Sequence, residues 1–520
     1  MVSLATMVSR ILGVAREMVM ARYFGAGFFT DAYNAAYRIP NLLRDLFAEG
    51  ALSAAFVPTF TRTLARSGPE AAWLLASRVI NALVVVLGGM TLMFYLGARF
   101  FVYVLAAGFA ETPGKIELAV QLTRIMSPFL LWVSVAAVVM GMLNACGSFF
   151  LPALAPSAFN VCSILAGIFL SPLMPRWGLA PIVSMAIGAV AGGAGQFFIQ
   201  LPAARRRGFR YRFAFGFKDP DLRHIAQLML PAIVGLSATQ INITVDNQLA
   251  SRLGDGPVSW LNYAFRLMQL PIGLFGVSIA TATTVLVSQH AAQNAAARLR
   301  NTVASSLRLA ACLTFPATVG LIVFRREIVG LLYERGKFVA FDTLRTSEAL
   351  VFYALALFAY SGVKILVPTF YAMNDTRAPV RASMIAVGVK IVVNLVFIIP
   401  LGFLGLPLAT AVASWLNMAL LVRSLDRKVE GKWTRHDLFP YCKILAASVA
   451  MGVLAFGTLR LFLHLTPGTG LLASATRLGA AIGVGVLAIV PLLHAMRVEE
   501  TREVVGMVTR RLGLPRGTAK

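Results

Sequence analysis

Charged side chains are scarce in this sequence: Asp, Glu, Lys and Arg together make up 13% of the residues, about half the share of a typical soluble domain. That scarcity argues against an ordinary water-soluble fold. There are only four cysteines, Cys146, Cys162, Cys312 and Cys442. They stand too far apart for a CxxC or a Cys/His metal cluster, so neither a zinc module nor a disulfide scaffold is expected. The five histidines are scattered. There is no Walker loop, no GxGxxG after a strand and no HExxH, so no cofactor and no metal are expected. Period-2 alternation is missing, which argues against a membrane β-barrel. A cleavable signal peptide is not expected either. The first apolar segment carries Arg10 and Arg16, too much charge for a signal core, and has no clear cleavage site.

What is abundant is apolar sequence, 58% of the chain, with a mean hydropathy of +0.76. Runs of ~20 apolar residues recur from end to end. In a bilayer every backbone polar group must be satisfied internally, so such runs become helices. The breaks predict about fourteen spans: 3–24, 34–61, 73–97, 117–143, 152–172, 180–202, 225–252, 257–288, 302–324, 345–373, 379–400, 404–423, 438–462 and 471–495. The second, eighth and tenth are long or interrupted by charge and proline, and are expected to kink.

The net charge of +25 does not imply nucleic acid, because the basic residues cluster in short gaps between apolar runs. Segment 203–224 holds Arg205, Arg206, Arg207, Arg210 and Arg212, and segment 424–443 is also basic. With fourteen spans both fall on one side with the two termini, and that side should be cytoplasmic. Loop 325–345 is a basic exception on the opposite face. A faint repeat runs at a nearly constant shift of 228: Ala36-Tyr37-Arg38 matches Ala264-Phe265-Arg266, and Leu46-Phe47 matches Leu274-Phe275. The all-α chain is therefore expected to hold two six-span parallel-repeat lobes, 1–202 and 225–424. Segment 203–224 is their basic linker, and two further spans and a cytoplasmic tail fill 425–520. Transporters often place the substrate between such repeats.

Charges near a bilayer centre cost ~2.5–3.5 kcal/mol each on insertion scales. The first, second and eighth spans nonetheless carry six arginines, Arg10, Arg16, Arg22, Arg38, Arg44 and Arg266, against Glu17, Asp31, Asp45 and Glu49. Internal pairing, Arg16 or Arg44 with Glu49, would account for part of the set. The surplus suits a polyanion, because a guanidinium offers a planar fork to phosphate oxygens and stays charged when desolvated. Asp246 and Lys390 also lie inside spans and are expected to pair, with Lys390 standing in for a bound cation. Asn394 lies one turn on and Thr410 in the next span.

The stretch Ser9-Arg10-Ile11-Leu12-Gly13-Val14-Ala15-Arg16-Glu17, then Phe24-Gly25-Ala26-Gly27 and Thr30-Asp31-Ala32, resembles the opening of the MurJ/MviN family. So do Ile39-Pro40-Asn41-Leu42-Leu43-Arg44, Phe47-Ala48-Glu49-Gly50-Ala51 and, in the second half, Ser259-Trp260, Tyr263-Ala264 and Arg266-Leu267-Met268. The similarity runs over nearly the whole chain. It implies the MOP exporter fold, two six-helix lobes in a V plus two C-terminal helices. It implies a flippase, not an enzyme. The substrate would be lipid II, the undecaprenyl-diphosphate-linked peptidoglycan precursor, moved from the cytoplasmic to the periplasmic leaflet of the bacterial inner membrane. It places a substrate cavity at Arg10, Arg16, Arg44, Arg266, Asp31 and Glu49; Asn41 and Ser259 lie within the same motifs. The acid that some relatives carry before the eighth-span arginine is Phe265 here, and a nearby acid is Gln269, so the cavity should be still more basic.

MOP relatives often couple to sodium or protons. An ammonium at Lys390 would compete with sodium, leaving membrane potential or H+ as the expected driver. Lipid II, membrane lipids and cell-wall synthesis or division proteins are the expected partners. The same features suit two alternatives, a flippase for another lipid-linked glycan of the O-antigen type and a non-catalytic membrane scaffold of the cell-wall machinery. A scaffold has no need of Arg16 at mid-membrane.

Overall fold

The computed structural model describes residues 2–44, 52–216, 219–293, 295–429, 435–465, 470–498 and 500–501. Helix is the only regular secondary structure among the described residues. The chain divides into two compact units, Met1–Ser259 with Tyr333–Asp342, and Trp260–Leu332 with Thr343–Lys520.

The first unit holds α1 (Val2–Phe24), α2 (Phe28–Leu43), α3 (Leu52–Leu96), α4 (Ala98–Ala106), α5 (Lys115–Met126), α6 (Phe129–Ala145), α7 (Phe150–Leu165), α8 (Val183–Arg206) and α9 (Pro220–Ser251). α3 is two helices run together across Gly68, whose φ of 80° is not helical, and Pro69 restarts the turn. α8 packs on both α6 and α7, α1 lies on α7, α2 on α5, and α9 on α3 and α4. The start of α9 is capped by Asp219, which accepts from the backbone N–H groups of Asp221 and Leu222.

The second unit takes over within α10 (Pro257–Pro271). It continues through α11 (Val277–Ala292), α12 (Ala296–Val323), α13 (Arg325–Tyr333), α14 (Ala340–Leu355), α15 (Leu357–Ala372), α16 (Arg377–Leu401), α17 (Gly405–Asp426), α18 (Arg435–Leu465) and α19 (Leu471–Ala495). Its core gathers Leu307, Phe358, Leu366, Phe370 and Ile444. Large apolar side chains face outward on both units, among them Leu96 (69% exposed), Ile399 (87%) and Leu487 (76%). An exposed apolar surface of this extent is what a lipid-facing wall requires.

Nine helical stretches among the described residues are long and apolar enough to cross a membrane, or ten if the bent pair α14 and α15 forms one span. One of them, Arg377–Asp426, contains two expected spans, so with the bent pair these stretches account for eleven of the fourteen, and α1, α2 and α9 lie at the other three. Of the three spans expected to kink, the eighth and the tenth do, and residues 45–51 of the second lie outside the described residues. The eighth span passes through a π turn, Ile272–Gly276, directly after Pro271, where the missing N–H breaks the hydrogen-bond ladder. α14 and α15 bend by 41°. Two short helices, α4 and α13, were not expected from hydropathy.

The helix starts repeat as the sequence does. α4 and α13 begin 227 residues apart, as do α7 and α16, and α6 and α15 begin 228 apart. The break between α14 and α15 at Ala356 answers the break between α5 and α6 at Ser127-Pro128.

Candidate functional site

α1 carries its three arginines on different sides, as a six-residue spacing on a 3.6-residue helix requires. Arg10 and Arg22 are exposed and Arg16 is buried. The Arg16 Nη2 meets Glu17 Oε1 at 2.6 Å, and its guanidinium lies 5.0 Å from the centre of the Phe159 ring. Phe159 belongs to an aromatic group in which Tyr37 stacks at 6.0 Å and Tyr33 stacks on Tyr37 at 5.9 Å. A guanidinium keeps its charge in such a setting because aromatic faces attract cations and its hydration is weak. Next to it Asn160 Nδ2 donates to the Ser9 carbonyl at 3.0 Å, tying α7 to α1. Among the described residues the acidic partner of Arg16 is the adjacent Glu17. Glu49, the partner considered from sequence, lies outside the described residues together with Asp45.

The second feature is a closed polar cluster around Asp31, which has no exposed surface. Its Oδ1 accepts from Ser259 N at 2.9 Å and Ser259 Oγ at 2.5 Å. Its Oδ2 accepts from Gly256 N at 2.8 Å and Lys115 Nζ at 2.9 Å. Lys115 also meets Asp255 Oδ1 at 2.5 Å and sits 4.3 Å from the centre of the Phe109 ring. Every bond goes to a group that needs one. The N–H groups of Gly256 and Ser259 are orphan donors at the start of α10, and a carboxylate there also opposes the helix dipole. One side chain on α2 therefore caps α10 from 228 residues away.

Beside this cluster two loops meet backbone to backbone. Lys337 N donates to the Arg22 carbonyl at 3.0 Å. Gly25 and Gly336 have φ of 71° and 62°, and a Cβ on them would fall 2.6 Å from the Lys337 oxygen and 2.2 Å from the Arg22 oxygen. Only glycine permits that approach.

The remaining expected residues are placed as follows. Asn41 and Arg44 are half-buried at the end of α2. Arg266 is exposed on α10, in the second unit, and Asp246 is half-buried on α9, in the first. Lys390 (3% exposed) and Asn394 are buried on α16 in the second unit, and Thr410 is buried on α17. Lys390 and Asn394 share the buried face of α16 with Pro379, Ala382 and Ala386. Of the expected set, Asp31 and Ser259 are brought into direct contact. Lys115, Asp255 and Gly256 were missed. In sequence Lys115 reads as an ordinary cation before an apolar run, and Gly254-Asp255-Gly256-Pro257 as a turn. A signal was present only in the company of an acid, Asp31, with no visible partner.

A multi-helix chain with this many long apolar helices is an integral membrane protein. The comparisons agree. The family described as lipid II flippase MurJ matches residues 20–477. A probable lipid II flippase MurJ of Vibrio cholerae is 36% identical over 457 residues, covering 86% of both chains. The lipid II flippase MurJ of Burkholderia cenocepacia is 35% identical over 430 residues, covering 81% of this chain and 82% of its own. A solved structure of lipid II flippase MurJ in an inward closed conformation superposes with a TM-score of 0.76 at 28% identity, covering 95% of this chain and 99% of that one. A multidrug resistance MATE transporter of the MOP superfamily shares the fold, with a TM-score of 0.62 at 13% identity over 82% of this chain and 94% of that one. The chain belongs to the MurJ family of lipid II flippases.

Proposed function

We propose that this protein flips lipid II from the cytoplasmic to the periplasmic leaflet of a bacterial inner membrane by alternating access, with both termini in the cytoplasm. The observation that carries the reading is Arg16, a desolvated guanidinium on the first helix held by the adjacent Glu17 carboxylate and an aromatic face. Together with Arg10, Arg44 and Arg266 it supplies the cationic surface that receives the diphosphate. Asn41, at the end of α2, belongs to the same set. The lobes 1–202 and 225–424 move as parallel repeats about the linker 203–224, and the spans after 425 hold the lipid tail.

The Asp31 cluster is the gate in this proposal. Asp31 and Ser259 are separated by 228 residues, the repeat shift, so the gate joins equivalent points of the two halves. Its bonds are side-chain bonds and helix-end bonds. They can be broken and remade without unfolding a helix. Asp246 with Lys390, Asn394 and Thr410 provides the coupling element, driven by membrane potential or H+ rather than Na+. Cell-wall synthesis proteins would take the product at the outer face.

The test is the accessibility of lipid II at the outer face of cells depleted of their own flippase and supplied with this protein. Restored accessibility with wild type and none with Arg16→Ala supports the reading. Rescue of a different lipid-linked glycan, and not of lipid II, refutes it.

A further inference from the structure

We propose that a cleft on the first unit, between the end of α3, the start of α4 and the face of α5, binds the phosphodiester of one anionic phospholipid. This site is separate from the flipping route proposed above and does not rest on it.

The cleft has a volume of about 470 Å³ and is lined by Tyr95, Arg99, Glu117, Gln121 and Arg124 with apolar neighbours such as Ile125. That volume falls in the range of small-ligand pockets, room enough for a phosphoglycerol headgroup. Arg124 is pre-positioned. Its Nε donates to the Tyr95 carbonyl at 3.3 Å, and its guanidinium lies 5.7 Å from the centre of the Tyr95 ring. This holds the plane of the fork and leaves the Nη groups for an anion. Arg99 makes no hydrogen bond or ion pair among the described residues, and Glu117 pairs with neither arginine although it lines the same cleft. Two cations facing one acid leave a site with an excess of one positive charge.

The setting selects a lipid over a soluble anion. Leu92, Leu96, Phe100 and Tyr103, on the same helices, are 57%, 69%, 66% and 57% exposed. This is a surface for acyl chains beside a headgroup-sized cleft. Arg124 lies nine residues into the apolar stretch Lys115–Ala145, about 13 Å along the helix at 1.5 Å per residue. A guanidinium at that depth is costly unless it reaches a headgroup or a counterion. A phosphodiester provides both, with two oxygens matching the Arg fork. Tyr95 and Gln121 add a hydroxyl and an amide for the glycerol portion.

The test uses the full-length protein in nanodiscs of equal phosphatidylglycerol and phosphatidylcholine, with retained lipid counted by native mass spectrometry. Wild type should retain one phosphatidylglycerol in preference to phosphatidylcholine, and 10 mM inorganic phosphate should not displace it. Arg99→Gln and Arg124→Gln should each weaken retention about tenfold, the loss of one charge-assisted bond, and the double variant should abolish it. Glu117→Gln should strengthen it. Arg99 bonds no other group among the described residues, so Arg99→Gln reports on the site even if Arg124→Gln loosens α5 from α3. Unchanged retention in Arg99→Gln, weaker retention in Glu117→Gln, or displacement by inorganic phosphate would each overturn the assignment.

Discussion

Replacing Lys115 with Met keeps the length of the side chain and removes its charge, and so isolates what the ammonium contributes to the Asp31 cluster. Lys115 is 1% exposed and Asp31 is 0% exposed. Removing one partner of a buried pair costs about 3–5 kcal/mol, because the other charge stays behind. The contact with Asp255 adds little, since that side chain is 45% exposed and an exposed pair is worth about 0–1 kcal/mol. Asp31 keeps its bonds from Gly256 N, Ser259 N and Ser259 Oγ, which places the loss near the lower end, at about 3 kcal/mol. At 1.4 kcal/mol per tenfold, the closed cluster should become on the order of 100-fold less populated relative to open forms. Amide hydrogen exchange reads this directly, because the N–H groups of Gly256 and Ser259 are donors to Asp31. Their exchange should accelerate by about two orders of magnitude in Lys115→Met, while the amide of Leu307 in the other unit's core stays protected. Lys115→Arg should fall between. If exchange at Gly256 and Ser259 is the same in Lys115→Met and wild type, the pair does not hold the cluster together.

Arg16→Ala should abolish lipid II flipping with membrane insertion intact, and Arg16→Lys should restore little of it, because an ammonium cannot present a fork; complementation of a flippase-depleted strain checks both. Gly336→Ala should destabilise the loop contact with Arg22 by roughly 1–3 kcal/mol for the left-handed φ alone, seen as faster exchange of the Lys337 amide, which donates to Arg22. The Asp375 carboxyl is held below the usual carboxylate range, first by its bond from Lys428 and then by the N–H groups of Ala378 and Arg377. Its folded pKa is depressed, so its contribution to stability is present above the unfolded value near 4 and is lost as pH falls through the lowered folded value. Asp375→Asn should flatten that acid limb of a thermal-melt series. Lys390→Asn should create or strengthen sodium dependence of flipping; identical responses of variant and wild type to sodium removal would refute the role given to Lys390.

Sequence alone determined that this is a helical membrane protein with spans in given places, because that decision is local. A run of apolar residues long enough to cross a bilayer must satisfy its backbone internally, whatever lies beside it. It also determined that Arg16 needs an explanation, since the cost of a charge at depth follows from its position in the span. The repeat was legible for the same reason: the shift of 228 that aligns Ala36-Tyr37-Arg38 with Ala264-Phe265-Arg266 is close to the one separating α6 from α15. Hydropathy did not reveal α4 and α13, because a short amphipathic helix at a span's end leaves little trace in a window of span length. The tertiary structure decided the partners. Lys115 and Asp31 are 84 residues apart and Ser259 and Asp31 are 228 apart. No periodicity encodes such a pairing, because it depends on which faces the packed helices turn toward each other. Only packing could show that a carboxylate on α2 caps the start of α10, or that Arg16 rests on Phe159.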